Sequence, residues 1–540
     1  MAEIPPSASL DETSIGYNAY SILKTGADEY GVKFPVLLRA FDDWRPALYV
    51  YLVVPFVKIF GLTVEAVRLP SVILSVLTIA ATYFLTKEFI RRYTLIKTPI
   101  HADYIALISA GLLAISPWHV YISRLGHESN AGLVFFVFGL LFFFLALRKK
   151  QRLPFLLVSF LSLAFSFYSY QSEKIIIPIF VLVLFFIFRK VLLQSKREVL
   201  LAGCTSIIVF LPILQTLLSP EAFTRFKGTT AFYENNPVYA EQAKMFVSAK
   251  KEGNLMGQIF HHKKMVSVQI FVGSYLSHFN PFWLFGNKAN DPHKIPGLGL
   301  MYIWEAPLLL LGILMLLKRK GAKNLNIILI SWILISPLPA AITTDAPHAM
   351  RIYTLLPAPP IIAALGLVYL FTHIPAGFLR RVAIGAFSLV VFWSISFMYK
   401  QYFEVFPMEQ SESFYTALAR TMPYVLDHED AYKQVVFSNK TNLHQSYIFF
   451  LFYSEFDPVL YQKLGGTVSG GYDKTHEIGK FSFRPIDWDK EQKENTLYVG
   501  NQIDFPNSVT PEFRGEYNDG TIGIILVDPA RYGNDRIHIL

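Results

Sequence analysis

Ten stretches of this 540-residue chain are long and apolar enough to cross a bilayer, and that pattern limits the fold more than any other feature. They cover roughly 66–90, 103–121, 129–147, 153–170, 174–190, 198–217, 299–317, 323–341, 352–373 and 381–399. A crossing helix needs ~20 residues, with ~17 as the lower limit. Composition agrees: 53% of residues are hydrophobic, 47 are Phe and only 16% are charged, whereas a soluble domain carries about a quarter charged residues. An all-α polytopic membrane domain is expected over 66–400.

The distribution of Lys and Arg orients it. One alternating set of short connections holds eighteen of them, in the clusters 87–97, 148–152, 189–197, 318–323 and 380–381. The opposite set holds Arg124, Lys174 and Arg351. Basic residues accumulate on the cytoplasmic side, so the first set is expected there. The net charge of +9 therefore encodes topology, and without a basic face or stripe no nucleic-acid partner is expected. Ala47–Phe60 is apolar and aromatic but short and carries Lys58. If it crossed, every later cluster would move outside, so it is read as a helix lying in the outer interface.

Three regions then face outward: a first segment 1–65, a large loop 218–298, and a tail 401–540. Both termini are expected to be extracytoplasmic in a multi-pass protein of the plasma (inner) membrane. The tail is charged throughout and has strand-like runs at Gln434–Ser438, Thr496–Gly500 and Ile522–Asp528, which predicts a small α/β domain. The chain opens directly into polar sequence, with no signal peptide. Its single cysteine, Cys204, excludes an intrachain disulfide and Cys-based zinc sites.

The candidate chemistry lies in the outer segments. Asp11 and Glu12 follow Ser9, and Asp43 and Arg45 flank Trp44. An acid at the membrane surface suits a general base, and an Arg suits a lipid-borne phosphate. The plainer reading makes Asp11 the cap of a helix beginning near Glu12. Arg124 and Glu128 form a second candidate pair; four apart, they would share a face and pair with each other on a helix. His348 and Arg351 stand at the head of a crossing segment, where Arg351 could equally snorkel to headgroups. His261-His262-Lys263-Lys264 reads as a solvated basic patch, since adjacent histidines do not share a helical face.

Taken together, these residues resemble the GT-C superfamily of polyprenyl-phosphate-dependent glycosyltransferases. The likeness is to the bacterial branch related to protein O-mannosyltransferases and lipid A aminoarabinose transferases. It rests on Pro5-Pro6-Ser7, Asp11-Glu12, Gly16–Tyr20, Arg45–Tyr49, Ala66–Ser71, Ser123-Arg124 with Glu128, and Pro347–Arg351 with Leu356-Pro357. Each motif is weak alone; the combination is specific and spans about 5–400. The resemblance implies a first membrane helix ahead of the Asp-Glu motif, which this sequence does not show. It also implies Lys-Pro-Pro or similar where Arg45-Pro46-Ala47 stands; Arg keeps the charge.

The resemblance implies a GT-C-like fold and transfer of a sugar from a polyprenyl-phosphate donor to a hydroxyl of a glycan, lipid or protein acceptor, on the outer face and with inversion. Asp11 would be the catalytic base. Glu12 would join it in the catalytic pair, orienting the acceptor. Arg45, Arg351 and His348 would bind the donor phosphate, which leaves readily once cations stabilise it. Glu128, Arg124 and Asp43 would hold acceptor or sugar. No metal or other cofactor is expected. A lipid-linked glycan polymerase or ligase is a second reading. A transporter is a third, disfavoured because the charges stand at the ends of the crossings.

Overall fold

The computed structural model describes residues 3–41, 43–92, 99–217, 230–232, 236–286, 293–318, 320–471, 474–531 and 538–539. Asp42, Lys97, Arg319 and parts of the loop 218–298 lie outside the described residues.

In chain order the main elements begin with α1 (Leu10–Thr25), the hairpin β1 (Leu37–Ala40) and β2 (Asp43–Pro46), and α2 (Leu48–Phe60). Helices α3 (Val64–Arg92), α4 (Pro99–Ala114), α5 (Pro117–Ser123), α6 (Ser129–Arg148), α7 (Leu153–Ser169), α8 (Glu173–Gln194) and α9 (Lys196–Leu217) follow. The large loop carries α10 (Pro237–Lys251), α11 (Leu255–Phe260) and α12 (Lys263–Ser277). Then come α13 (Glu305–Lys318), α14 (Lys323–Ile335), α15 (Ala358–His373) and α16 (Phe378–Lys400). The tail contains α17 (Thr416–His428), β3 (Gln434–Phe437), α18 (Ser446–Tyr453), α19 (Pro458–Lys463), β4 (His476–Ile478) and β5 (Phe481–Phe483). It ends with β6 (Thr496–Gly500), β7 (Phe513–Glu516), β8 (Ile522–Val527) and β9 (His538–Ile539).

The chain divides into two compact units. The first joins 1–73, 123–128 and 399–540; the second joins 74–122 and 129–398.

The second unit is the helical one. Among the described residues, six helical segments are long and apolar enough to cross a membrane: α3, α6, α8, α14 extended to Ala341, Tyr353–His373, and Phe378–Glu409. α4 and α5 make a seventh if they count as one crossing, bent by 60° between them. The ten expected crossings are thus not all realised as full-length helices. α13 has only 14 residues, a rise of about 21 Å against a hydrocarbon core of ~30 Å, and α7 has 17. Aromatic packing fills the interior: Phe136 meets Trp332 edge-on at 5.0 Å, and Trp332 donates to Thr354 O at 2.6 Å. α13 and α15 approach backbone to backbone. A Cβ at Gly366 would strike Leu308 O, and one at Gly312 would strike Ile362 O. Lipid offers no hydrophobic drive for such pairing, so small residues supply contact area instead.

In the first unit α2 is 13 residues long, about 20 Å, too short to cross. It buries Tyr49, Val50, Val53 and Val57 and leaves Ile59 and Phe60 exposed. The tail is a seven-stranded mixed sheet in the order β4-β5-β3-β6-β8-β7-β9. β3, β6 and β8 coincide with the three strand-like runs of the sequence. Their Val436, Tyr498, Ile525 and Val527 form a core with Trp488 and Phe505.

Candidate active site

The site is built at the start of α1. The Ser9 hydroxyl accepts from Glu12 N–H at 3.3 Å, and Glu12 Oε2 accepts from Ser9 N–H at 2.9 Å. This reciprocal capping box satisfies two backbone donors at once. Ser9, not Asp11, is therefore the cap. The Asp11 carboxylate turns away from the helix and accepts from Arg45 Nη2 at 2.9 Å. The asymmetry of the pair matters: the Arg45 side chain is 6% exposed and that of Asp11 55%.

Arg45 is delivered by the β1–β2 hairpin, where it stands opposite Leu38. Burial works against its charge, but the carboxylates of Asp11, Glu128 and Asp43 outweigh that and hold the guanidinium above its ordinary pKa. Asp43 also accepts from Trp44 N–H at 2.7 Å. Glu128 is buried, with His127 Nε2 3.8 Å from its Oε2.

Glu12, by contrast, is enclosed. Arg68 donates to it twice, from Nε at 2.7 Å and Nη2 at 2.9 Å. Gly126 N–H adds a third bond at 2.8 Å, and Ser9 N–H is the fourth. Burial would raise this carboxyl, yet Arg68 and the two backbone donors overcome it and hold the pKa below the ordinary value. Arg68 also donates to Pro5 O at 2.9 Å and Ser7 O at 2.5 Å. One buried ion pair thereby ties residues 5–7, the start of α1, the start of α3 and the 123–128 segment together. In sequence Arg68 is one residue of the Ala66–Ser71 motif, with no partner in sight. The available signal was a cation near the head of an otherwise apolar crossing helix.

Arg124 donates to Ile4 O at 3.1 Å and lies over the rings of Tyr402 and Phe403. It does not form the helical pair with Glu128, because α5 ends at Ser123 and α6 begins at Ser129.

His348 and Arg351 belong to the second unit. Arg351 does not snorkel; its guanidinium folds onto its own loop, donating to Thr343 Oγ1 at 2.7 Å and to Thr344 O. His348 Nδ1 accepts from Arg351 N–H, and His348 N–H donates to His278 Nε2, both at 3.3 Å. The His293 ring lies 4.9 Å from that of His348. His278 and His293 carry no motif and were invisible in sequence. Within the same unit an apolar cavity of about 480 Å³ opens among α6–α9, lined by Phe143, Phe160, Phe167, Leu184, Phe185 and Phe210 among others.

A polytopic helical unit of several crossing-length apolar helices defines the class: a membrane protein with the GT-C fold. Residues 44–215 match the family described as dolichyl-phosphate-mannose-protein mannosyltransferase, a stretch that takes in Arg45, Arg68, Arg124 and Glu128. The structure is similar to that of ArnT from Cupriavidus metallidurans bound to undecaprenyl phosphate, with a TM-score of 0.52 and 11% identity over 96% of this chain and 93% of that one. A looser likeness, TM-score 0.48 and 14% identity over 83% of this chain and 59% of the other, is to the Archaeoglobus fulgidus oligosaccharyltransferase tethered to an acceptor peptide containing the NVT sequon. No curated protein sequence matches the chain.

Proposed function

We infer that this chain is a membrane glycosyltransferase that moves a sugar from a polyprenyl-phosphate donor to an acceptor hydroxyl on the outer face of the membrane, with inversion. The observation that carries the reading is the Asp11–Arg45 pair, a half-exposed carboxylate held by a buried guanidinium. The glycosyltransferase family match and the ArnT-like fold supply its context.

In the reaction the acceptor oxygen attacks the anomeric carbon from the face opposite the phosphate. Its proton passes to Asp11, and the bond to the phosphate oxygen breaks with the electron pair leaving on the phosphate. Asp11 is the only member of the pair open to an acceptor. Arg45 orients it, and the same guanidinium faces charge developing on the leaving group; donors fixed before the reaction need no reorganisation during it. Glu128 and Asp43 keep Arg45 charged and flank it, where a sugar hydroxyl can donate to them. Arg124 fixes the polypeptide around Ile4. Glu12 acts through Arg68 as a positioning residue, since four donors saturate it.

Asp11→Asn tests the base. The change is nearly isosteric, and the Ser9–Glu12 capping box does not involve it. General-base catalysis contributes ~100- to 10,000-fold, so single-turnover transfer in nanodiscs, with a panel of labelled polyprenyl-phosphate sugars, should fall by at least that order while the melting temperature holds. Transfer near the parent rate would sink the mechanism.

A further inference from the structure

The loop helices α10, α11 and α12 expose an unusual amount of apolar surface. Between residues 236 and 286, only Ala249, Val266, His278 and Trp283 are buried. Leu255 is 74% and Met256 65% exposed, and Ile259 and Phe260 beside them are also exposed. Along α12, Val268, Val272 and Leu276 are exposed at spacings of four, which sets them on one face of the helix. Contiguous apolar patches of this kind mark interaction sites rather than water-facing surface.

Two further observations say what covers them. The first is depth. Tyr275 of α12 donates to Leu334 O on α14 at 2.8 Å. Leu334 is eleven residues beyond Lys323, a rise of about 16 Å, roughly half of the ~30 Å hydrocarbon core. The end of α12 is therefore at acyl-chain depth. Its start, at Lys263, lies about 18 Å further along the helix, within reach of a headgroup layer. The second is charge. Between residues 236 and 286 the loop carries Lys244, Lys250, Lys251, Lys263 and Lys264 against Glu241 and Glu252. Three of its cationic or ionisable side chains, His261, His262 and Lys263, line a cavity of about 540 Å³ closed by Tyr239, Gln242 and Phe246. Tyr239 bonds Ser267 at 2.7 Å and Gln242 bonds His261 at 2.6 Å, which fixes α10 to α12 across it.

We propose that α10–α12 is a lipid-binding element, with its α11 turn and α12 stripe among the acyl chains of one leaflet and its His261–Lys264 edge and cavity on the phosphate of an anionic phospholipid. Basic helices with an apolar face bind such surfaces through buried area plus attraction to anionic headgroups. The basic tetrapeptide that reads as a solvated patch in sequence is then the headgroup side of an inserted module.

The test uses the full chain with Cys204→Ser and a single new cysteine, Met256→Cys, labelled with an environment-sensitive fluorophore in nanodiscs. Nitroxide-bearing phospholipid should quench this label several-fold more than aqueous iodide does, with the order reversed for a label at Asn507→Cys in the tail. A second arm compares uptake of fluorescent phosphatidylglycerol and phosphatidylcholine. Lys263→Ala/Lys264→Ala should lower the phosphatidylglycerol preference on the order of tenfold without a change in melting temperature, and added inorganic phosphate should not displace the lipid. A Met256 label quenched by iodide and not by the lipid nitroxide overturns insertion. A phosphatidylglycerol preference indifferent to both lysines, or abolished by free phosphate, overturns the headgroup assignment.

Discussion

Replacing Arg68 with Met would leave Glu12 as a buried carboxylate with two backbone donors, Gly126 and Ser9, and no cation. Arg68 is fully buried and Glu12 is 1% exposed, so neither group can recover solvent. Removing one partner of a buried ion pair costs roughly 3–5 kcal/mol. Arg68→Met also strips Pro5 O and Ser7 O of their donor, which places it at the upper end of that range. A domain of 150–250 residues shifts about 2–4 °C per kcal/mol, so its melting temperature should drop by roughly 10–20 °C. The double variant Arg68→Met/Glu12→Leu removes the orphaned charge as well and should regain a large part of the loss, giving a coupling energy well above ~1 kcal/mol. Thermal unfolding of the four proteins of the cycle in one detergent, followed by intrinsic fluorescence, measures it. Additive losses would show that the pair does not act as a unit and would refute its role in positioning the start of α1.

Other tests follow from the same geometry. Arg45→Ala should depress donor use far more than Arg45→Lys in transfer assays, because charge is the required property and the guanidinium fork is secondary; equal losses would make Arg45 structural. Glu29 is fully buried, and burial pushes its pKa up to about 7, against the hydrogen bonds from Asn18, Thr467 and Tyr447 that lower it. Its folded pKa lies above the ordinary value of 4.5, so its contribution is present below that value and is lost as pH rises through about 7. Melting curves between pH 4.5 and 8 should show this decline in the parent and a flatter profile in Glu29→Gln; identical profiles would remove Glu29 from the pH dependence. For topology, with Cys204 replaced, cysteines at Lys149 and Lys150 should resist an impermeant thiol reagent in intact cells and one at Asn507 should react. The reverse pattern would invert the orientation and the outer-face assignment with it.

Sequence alone determined the elements whose signal is local. Apolar runs of crossing length mark α3, α6, α8 and α15, because hydrocarbon forces every backbone group into its own helix. Short, nearly continuous apolar runs mark β3, β6 and β8, which are buried on both faces. Asp11 and Arg45 stand out in the sequence as charges in polar segments ahead of the first crossing run. What joins those two residues is not local: 34 positions separate them, and only the β1–β2 hairpin and the turn of α1 behind Ser9 bring the carboxylate onto the guanidinium. The shortening of α13 and the bend between α4 and α5 were likewise settled by packing, since hydropathy averages over a window and does not register where a helix stops. Arg68 shows the division most clearly. In sequence it is one cation at the edge of an apolar run; in the structure it closes on Glu12, Pro5 and Ser7, because a charge that cannot reach water must find its partners in the chain.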